Sequence, residues 1–296
     1  MDAHLRDLRY FVAVAEELSF TRAAERLYLS QPALSKQIRQ LEEGLRVRLL
    51  ERDHRTVSLT EPGRVLLASA RELLARWDET QREVSDAAAA EAAVLTVGLS
   101  TSVGRGLLAA ARTGFLQRRP HWRTRMRHIG WEDASAGLAG GEVDVAFVWL
   151  PFTGQEAFHL KVVAREQRWV AFPEDHWLAG RDRVGFAELL DEPFLALPEG
   201  AGPLRDFWLA LPERGGRPAR IGAVVANPEE TFSAVEEGSG IVLLASGNAA
   251  IYRRPGIGAV PVTGIAPCEL ALAWREGDHR VAVRDFVDAV DPAPGP

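Results

Sequence analysis

The sequence predicts a mainly helical N-terminal head, one long connecting helix and an α/β body, and three observations predict that order. Residues 19–60 carry two short amphipathic helices, a tight link and a basic hairpin. Residues 61–86 hold an apolar heptad-like stripe with no helix breaker after Pro62 and Gly63. From Val94 onward, strand-like apolar runs alternate with helical patterns, as in an α/β arrangement.

The first helix is expected over residues 5–17, with Leu5, Leu8, Phe11, Val12 and Ala15 as the floor of a small core. Ser19 or Thr21 caps a second helix whose Ala23, Ala24 and Leu27 face inward. Its small alanines allow close crossing by the next helix across the Tyr28 and Leu29 link, as a helix-turn-helix requires. Ser30 is placed to cap the third helix through its hydroxyl, Pro32 fits the first turn, and Gly44 reads as the stop. Leu34, Ile38 and Leu41 fall at i, i+4 and i+7 and form one buried stripe. At about 100° per residue, Pro32, Ser35, Lys36 and Arg39 project from the opposite side, with Gln31 at its edge.

A face of hydroxyl, amide and cationic groups, its acids Glu42 and Glu43 held at the far end, suits base edges and phosphates. The alternative is a plain solvated face, which is what most charge clusters are. The hairpin that follows, residues 49–59, is a strand, a polar turn and a strand with Arg52 and Arg55 toward its tip. A winged helix uses such a hairpin to reach phosphates or the minor groove. Charge argues for selectivity: the chain carries a net −6, and its first 60 residues hold ten Lys and Arg against nine acids. A polyelectrolyte binder without sequence preference would be more basic, so local placement and more than one head must supply the grip.

These residues resemble the winged helix-turn-helix of LysR-type transcriptional regulators. The resemblance rests on FVAVAEELSFTRAAERL, LSQPALSKQIRQLEE and LLERDHRTVSLTEPG. Two departures stand out: Arg46 occupies the family's usual glycine place, with Gly44 early, and Leu50 stands where phenylalanine is usual. The resemblance implies that Gln31, Pro32, Ser35 and Lys36 read a major groove while Arg39, Arg52 and Arg55 hold phosphates or the minor groove; Ser30, Thr21 and Arg22 complete the expected DNA-contacting set. It also implies an interrupted palindrome in double-stranded DNA, a dimer of dimers, and RNA polymerase as a partner.

The long helix is expected over residues 61–86, capped by Thr60, with residues 87–93 as a frayed end and hinge. About 25 residues span close to 40 Å. Leu66, Ala70, Leu73, Trp77 and Val84 form its apolar stripe, and a second copy of the helix is the expected partner. Packing on the chain's own domains is the alternative.

In the body, strand-like runs at residues 94–99, 124–129, 143–149, 160–163, 169–172, 194–197, 221–226, 241–244 and 270–274 alternate with helical segments, so largely parallel sheets are expected. The LysR resemblance implies a periplasmic-binding-protein-like, two-lobed effector domain over residues 91–290. Lobe one would take 94–164 plus 268–290, lobe two 165–267, and a small-molecule effector would lie between them. Domains are thus expected at 1–60, 61–90 and 91–290, with a disordered tail at 291–296. Ligands of open α/β sheets bind beyond strand carboxyl ends. Ser100, Thr101 and Ser102 lie at such an end and, on this reading, at a helix N-terminus that favours a carboxylate; an ordinary cap is the alternative. Trp149, Leu150, Pro151 and Phe152 follow another strand end, and Pro198, Gly200 and Asn227 are further candidates.

At 296 residues with 47% hydrophobic and 26% charged side chains, about two soluble domains are expected. No apolar run approaches a membrane span and the charged opening is not a signal peptide, so a cytoplasmic location is expected. The single Cys268 excludes an internal disulfide, reads as a buried thiol, and counts against resemblance to the peroxide-sensing branch of the family. The seven histidines show no metal-binding spacing, and no nucleophile elbow, Walker loop or dinucleotide loop is present, so neither metal, cofactor nor enzymatic activity is expected. The rival function is a cytoplasmic solute-binding protein whose head serves only oligomerisation.

Overall fold

The computed structural model describes residues 4–52, 57–103, 106–251 and 253–291. The chain divides into two compact units, residues 1–88 and residues 89–296.

In the first unit, α1 (Leu5–Glu17), α2 (Phe20–Arg26) and α3 (Gln31–Leu45) pack around Phe11, Val14, Phe20, Ala23, Leu34, Ile38 and Leu41. Val14, not Val12, is the buried valine of α1; Val12 and Leu5 are half-buried. Ser19 caps α2, its Oγ accepting from the Arg22 N–H at 3.4 Å. The α2–α3 turn places Tyr28 at φ +53, a left-handed conformation more often given to glycine in such turns. Gly44 does not end α3. The helix continues to Leu45 and reverses at Arg46, whose φ is +57. The reversal needs a left-handed residue at 46, and the chain supplies arginine there.

The wing pairs β1 (Leu50–Arg52) with β2 (Val57–Leu59) antiparallel, Leu50 opposite Leu59. Glu42 holds it to α3: its Oε1 accepts from the N–H groups of Leu49 at 2.9 Å and Leu50 at 3.1 Å. The long helix α4 (Glu61–Glu91) starts at Thr60, whose Oγ1 accepts from Gly63 N–H at 3.0 Å and donates to the Arg48 carbonyl at 2.7 Å. Gly63 permits this approach, because a Cβ there would stand 2.0 Å from the Leu49 oxygen. The alanine tract at 87–90 is helical rather than frayed, as alanine's high helix propensity allows. Glu16 ties α1 to both neighbours, accepting from Arg71 and Arg26 at 2.9 Å each. The bond from Arg71, joined by Arg26, holds its carboxyl below the usual value against partial burial.

In the second unit, β3 (Val94–Leu99), α5 (Leu107–Arg118), β4 (Arg123–His128), β5 (Val145–Leu150) and β6 (Phe158–Glu166) lead into β7 (Arg168–Pro173) and β8 (Val184–Gly185). There follow β9 (Pro193–Ala196), α6 (Pro203–Trp208), β10 (Arg220–Val224), α7 (Pro228–Glu236), β11 (Val242–Ala245) and α8 (Ser246–Ile251). β12 (Ile257–Thr263), β13 (Cys268–Arg275) and α9 (Val281–Asp288) complete the chain.

One lobe is built on a five-stranded sheet ordered β4-β3-β5-β13-β6, the other on a four-stranded sheet ordered β11-β7-β12-β8 with the adjoining β9–β10 pair. The sheets are mixed, not largely parallel. β3 runs parallel to β4 and β5, but β13 is antiparallel to β5 and β6, and β7 is antiparallel to β11 and β12. The double crossing between lobes sets this: the chain leaves along β6 and returns along β13, reversing direction beside strands already laid down.

At the crossing, Arg168 is buried with a side chain 0% exposed. Its guanidinium donates to Ala266 O at 2.8 Å, Phe207 O at 2.7 Å and Glu213 Oε1 at 2.8 Å. Burial pushes its pKa down, with Glu213 acting against that shift. The adjacent Glu166 accepts at Oε2 from Ser246 Oγ at 3.0 Å and Gly247 N at 2.7 Å. The first crossing strand thereby fixes the start of α8. Cys268 is fully buried.

Candidate nucleic-acid interface and ligand cleft

The exposed face of α3 carries Gln31, Pro32, Lys36 and Arg39, with Ser35 half-buried beside them. Thr21, Arg22 and Ser30 are also exposed. Ser30 occupies the N-cap position but makes no capping bond through its side chain, leaving its hydroxyl on the surface at a helix N-terminus. Arg22 is already engaged: it donates to the Glu17 carbonyl and pairs with the Glu17 carboxylate at 3.4 Å, finishing α1. Arg46 and Arg48, neither of them among the expected DNA contacts, border a depression with Arg39 where α3 meets the wing. Glu42 turns its carboxylate onto backbone N–H groups there, so part of its charge is satisfied within the fold. The Arg52 side chain and Arg55, with the rest of the wing tip, lie outside the described residues, as does the tail at 292–296.

On α4 the expected stripe divides. Ala70 is fully buried against the head and Leu66 is half-buried on the same core, so neither offers a free face to a second chain. Leu73, Trp77 and Val84 are 55%, 42% and 66% exposed.

Between the lobes lies a cavity of about 80 Å³. Ser100, Thr101, Trp131 and Trp149 border it from one lobe; Leu204, Trp208, Thr231, Phe232, Leu243 and Asn248 are among its borders from the other. Trp131 donates from Nε1 to the Ser100 carbonyl at 3.1 Å and from its backbone N–H to Ala226 O at 3.2 Å, fastening the two lobes together. Trp149 Nε1 reaches Thr101 Oγ1 at 3.4 Å.

Of the candidate ligand residues, Ser100, Thr101 and Trp149 border this cavity. Ser102 does not: it faces a separate depression beside Leu99 and Met126. Nor do these three stand at a helix N-terminus, because Gly106 at φ +71 delays α5 until Leu107. The reason to expect a carboxylate there falls with it. Leu150 and Pro151, Pro198, Gly200 and Asn227 also lie off the cavity. Gly200 abuts the other lobe, where a Cβ would stand 3.3 Å from the Glu132 carbonyl. Asn227 caps α7, accepting from Glu230 N at 3.0 Å; Thr231 and Phe232, one turn later, reach the cavity. Applied equally to β10 and β11, the strand-end rule points to α7 and α8 and so to Thr231, Phe232 and Asn248. Trp131 and Trp208 had no such signal.

Among the described residues, no group of histidine, cysteine or carboxylate side chains could hold a metal ion. No helix among them is long and apolar enough to cross a membrane.

Two family models match the chain in succession. That of bacterial regulatory helix-turn-helix proteins of the lysR family covers residues 5–64, and that of the LysR substrate binding domain covers residues 88–293. The Hca operon transcriptional activator HcaR of Escherichia coli (strain K12) is 33% identical over 291 residues, spanning 97% of this chain and 96% of HcaR. The crystal structure of CbnR, a LysR family transcriptional regulator, aligns at TM-score 0.55 and 26% identity over 97% of this chain and 98% of CbnR. Full-length CbnR complexed with its target DNA aligns at TM-score 0.51 and 26% identity over the same shares. A head with an exposed recognition helix, followed by a two-lobed body and matched along nearly its whole length by named regulators, is not an enzyme: this chain belongs to the LysR family of DNA-binding transcriptional regulators with an effector-binding domain.

Proposed function

We propose that this regulator changes its hold on DNA when a small molecule occupies the cavity between its lobes. The observation that carries this reading is that both lobes contribute walls to one mainly apolar space, with the Trp149 and Trp208 rings in contact beside it. A ligand touching both walls binds one lobe arrangement better than another and so shifts the population toward it.

At the other end, residues 1–60 serve as the reading head and 61–90 as the linker. Gln31, Pro32, Ser35 and Lys36 contact base edges, and Ser30, Thr21 and Arg39 contact backbone. Leu73, Trp77 and Val84 pair two linkers, and two such dimers sit on an interrupted palindrome in double-stranded DNA. The regulator works in the cytoplasm with RNA polymerase as its partner.

The test is selection of bound double-stranded DNA from a random pool by the full chain, followed by titration of the selected site in the presence of small-molecule mixtures. Enrichment of one interrupted palindrome, with affinity altered by a compound that also raises the melting temperature, is expected. Recovery of unrelated sequences alone overturns the reading head; an unaltered affinity with every stabilising compound overturns the effector role.

A further inference from the structure

We infer that Arg39, Arg46 and Arg48 form a clamp for DNA backbone phosphates where α3 meets the wing. The inference rests on α3 being the reading helix and adds two contacts, Arg46 and Arg48, that hold the duplex without reading it.

Placement comes from the helix itself. Pro32, Ser35, Lys36, Arg39, Glu43 and Arg46 fall within an arc of about 100°, opposite the buried Leu34, Ile38 and Leu41. The face expected at base edges therefore continues to the end of α3. Arg46 stands roughly 15 Å beyond Lys36 along the axis, at 1.5 Å per residue. The major groove is only about 12 Å wide. A helix that points its first turns at base edges carries its last turn to the phosphate wall.

Charge and anchoring favour the same partner. Arg6, Arg9, Arg22, Arg26, Arg64 and Arg71 each pair with an acid. Among the described residues, Arg39, Arg46 and Arg48 form no such pair, and all three are exposed around one depression. Glu42 is turned inward onto the Leu49 and Leu50 N–H groups, so three cations outweigh the exposed Glu43 on this rim. The backbone that carries them is fixed. Arg46 N–H donates to Glu43 O and Val47 N–H to Glu42 O, both at 3.2 Å, and the Arg48 carbonyl accepts from Thr60 Oγ1 at 2.7 Å. Only the side chains are left to move, and a guanidinium fork matches phosphate oxygens. Arg46 also holds φ +57, where glycine would sit without strain. Such strain gathers at functional sites, and a guanidinium is what glycine could not supply here.

The test measures binding of the full chain to its selected site and to a random duplex of equal length, by fluorescence anisotropy from about 50 to 200 mM salt. Arg46→Gly and Arg48→Ala should each weaken both duplexes about three- to tenfold per bound head. Each should also lower the slope of log affinity against log salt by about 0.9 per bound head. Arg46→Lys, which keeps the cation, should retain the wild-type slope. Arg9→Ala makes the same change of charge on α1, where Arg9 pairs with Asp78, and should leave the slope unaltered. Urea unfolding of each variant separates weaker binding from lost folding, and Arg48→Ala carries the test if Arg46→Gly does not fold. An unchanged slope in either variant overturns the clamp but leaves α3 as the reading helix. So does an equal fall in Arg9→Ala, a lysine variant no better than glycine, or a loss confined to the selected site. A wild-type chain that binds both duplexes alike overturns both this inference and the reading helix.

Discussion

Trp149 and Trp208 meet edge to face across the cleft, their ring centroids 5.7 Å apart and their planes at 82°. Trp149 sits on β5 of one lobe and Trp208 ends α6 of the other, so the pair is a direct apolar bond between the lobes. Such pairs add about 0.5–1.5 kcal/mol beyond the area they bury. Trp208→Ala should loosen lobe closure and weaken binding of a ligand in the cavity about tenfold or more. DNA affinity without ligand should be preserved. Calorimetric titration of the ligand and a DNA-binding isotherm measure the two effects; equal ligand affinity in the variant would mean the pair only fills space.

The recognition face yields a prediction about specificity. Lys36 is exposed and Ser35 half-buried on the face of α3 opposite Leu34, Ile38 and Leu41. Ser35→Ala or Lys36→Ala should cost about 1–3 kcal/mol on the selected site and little on random DNA. Arg39→Ala should weaken both alike and lower the salt dependence by about one released ion. Equal loss on both sequences for Lys36→Ala would reassign it to backbone holding.

Leu73, Trp77 and Val84 remain exposed after the head has taken Ala70 and half of Leu66. A solvent-facing stripe of that size on a 31-residue helix needs a cover, and a twofold copy of the same helix supplies a matching one. Leu73→Glu with Trp77→Glu should therefore convert the assembly to smaller species in sedimentation velocity while circular dichroism stays unchanged. An unaltered sedimentation coefficient would place the assembly interface elsewhere.

The head was legible because a helix writes its buried face at a 3.6-residue period, and Leu34, Ile38 and Leu41 kept to it. What was not legible depends on neighbours distant in sequence. Strand direction is absent from a strand's own residues, so β13 read as another α/β strand until its antiparallel partners β5 and β6 were in view. Ser100 and Thr101 followed from the strand-end rule; Asn248 is reached by the same rule but stands on a helix whose apolar surroundings hid it. The end of α3 misled for a local reason. Glycine at 44 looked like a stop, whereas the left-handed position is Arg46 at φ +57. Left-handed backbone costs a non-glycine residue about 1–2 kcal/mol. Glycine's greater freedom in the unfolded chain offsets part of that, so Arg46→Gly should stabilise the head by about 0.5–1 kcal/mol in urea unfolding. A destabilised variant would show that the Arg46 side chain holds the wing junction.

The start of α9 offers a prediction in pH. Asp278 has a side chain 2% exposed and accepts from Arg280 through Nε at 3.0 Å, Nη2 at 2.6 Å and the backbone N–H at 3.1 Å. Arg280 also reaches Asp144 Oδ1 at 2.7 Å, and Asp144 Oδ2 accepts from Thr96 N at 2.6 Å, so the network joins β3 to the cap of α9. Burial disfavours the ionised Asp278, but the Arg280 hydrogen bonds, with the charges of Arg280 and Arg275, outweigh it and hold the carboxyl below its ordinary value. A folded value below the unfolded one, near 3.9, means that the contribution is complete above about pH 4 and is lost as pH falls through the folded value. Asp278→Asn removes one member of a buried ion pair and should cost about 2–4 kcal/mol at neutral pH. That cost should shrink steadily as pH is lowered below about 4, as followed by urea unfolding of both proteins. A cost unchanged down to about pH 3 would assign the loss to altered hydrogen-bond geometry rather than to the carboxylate's charge.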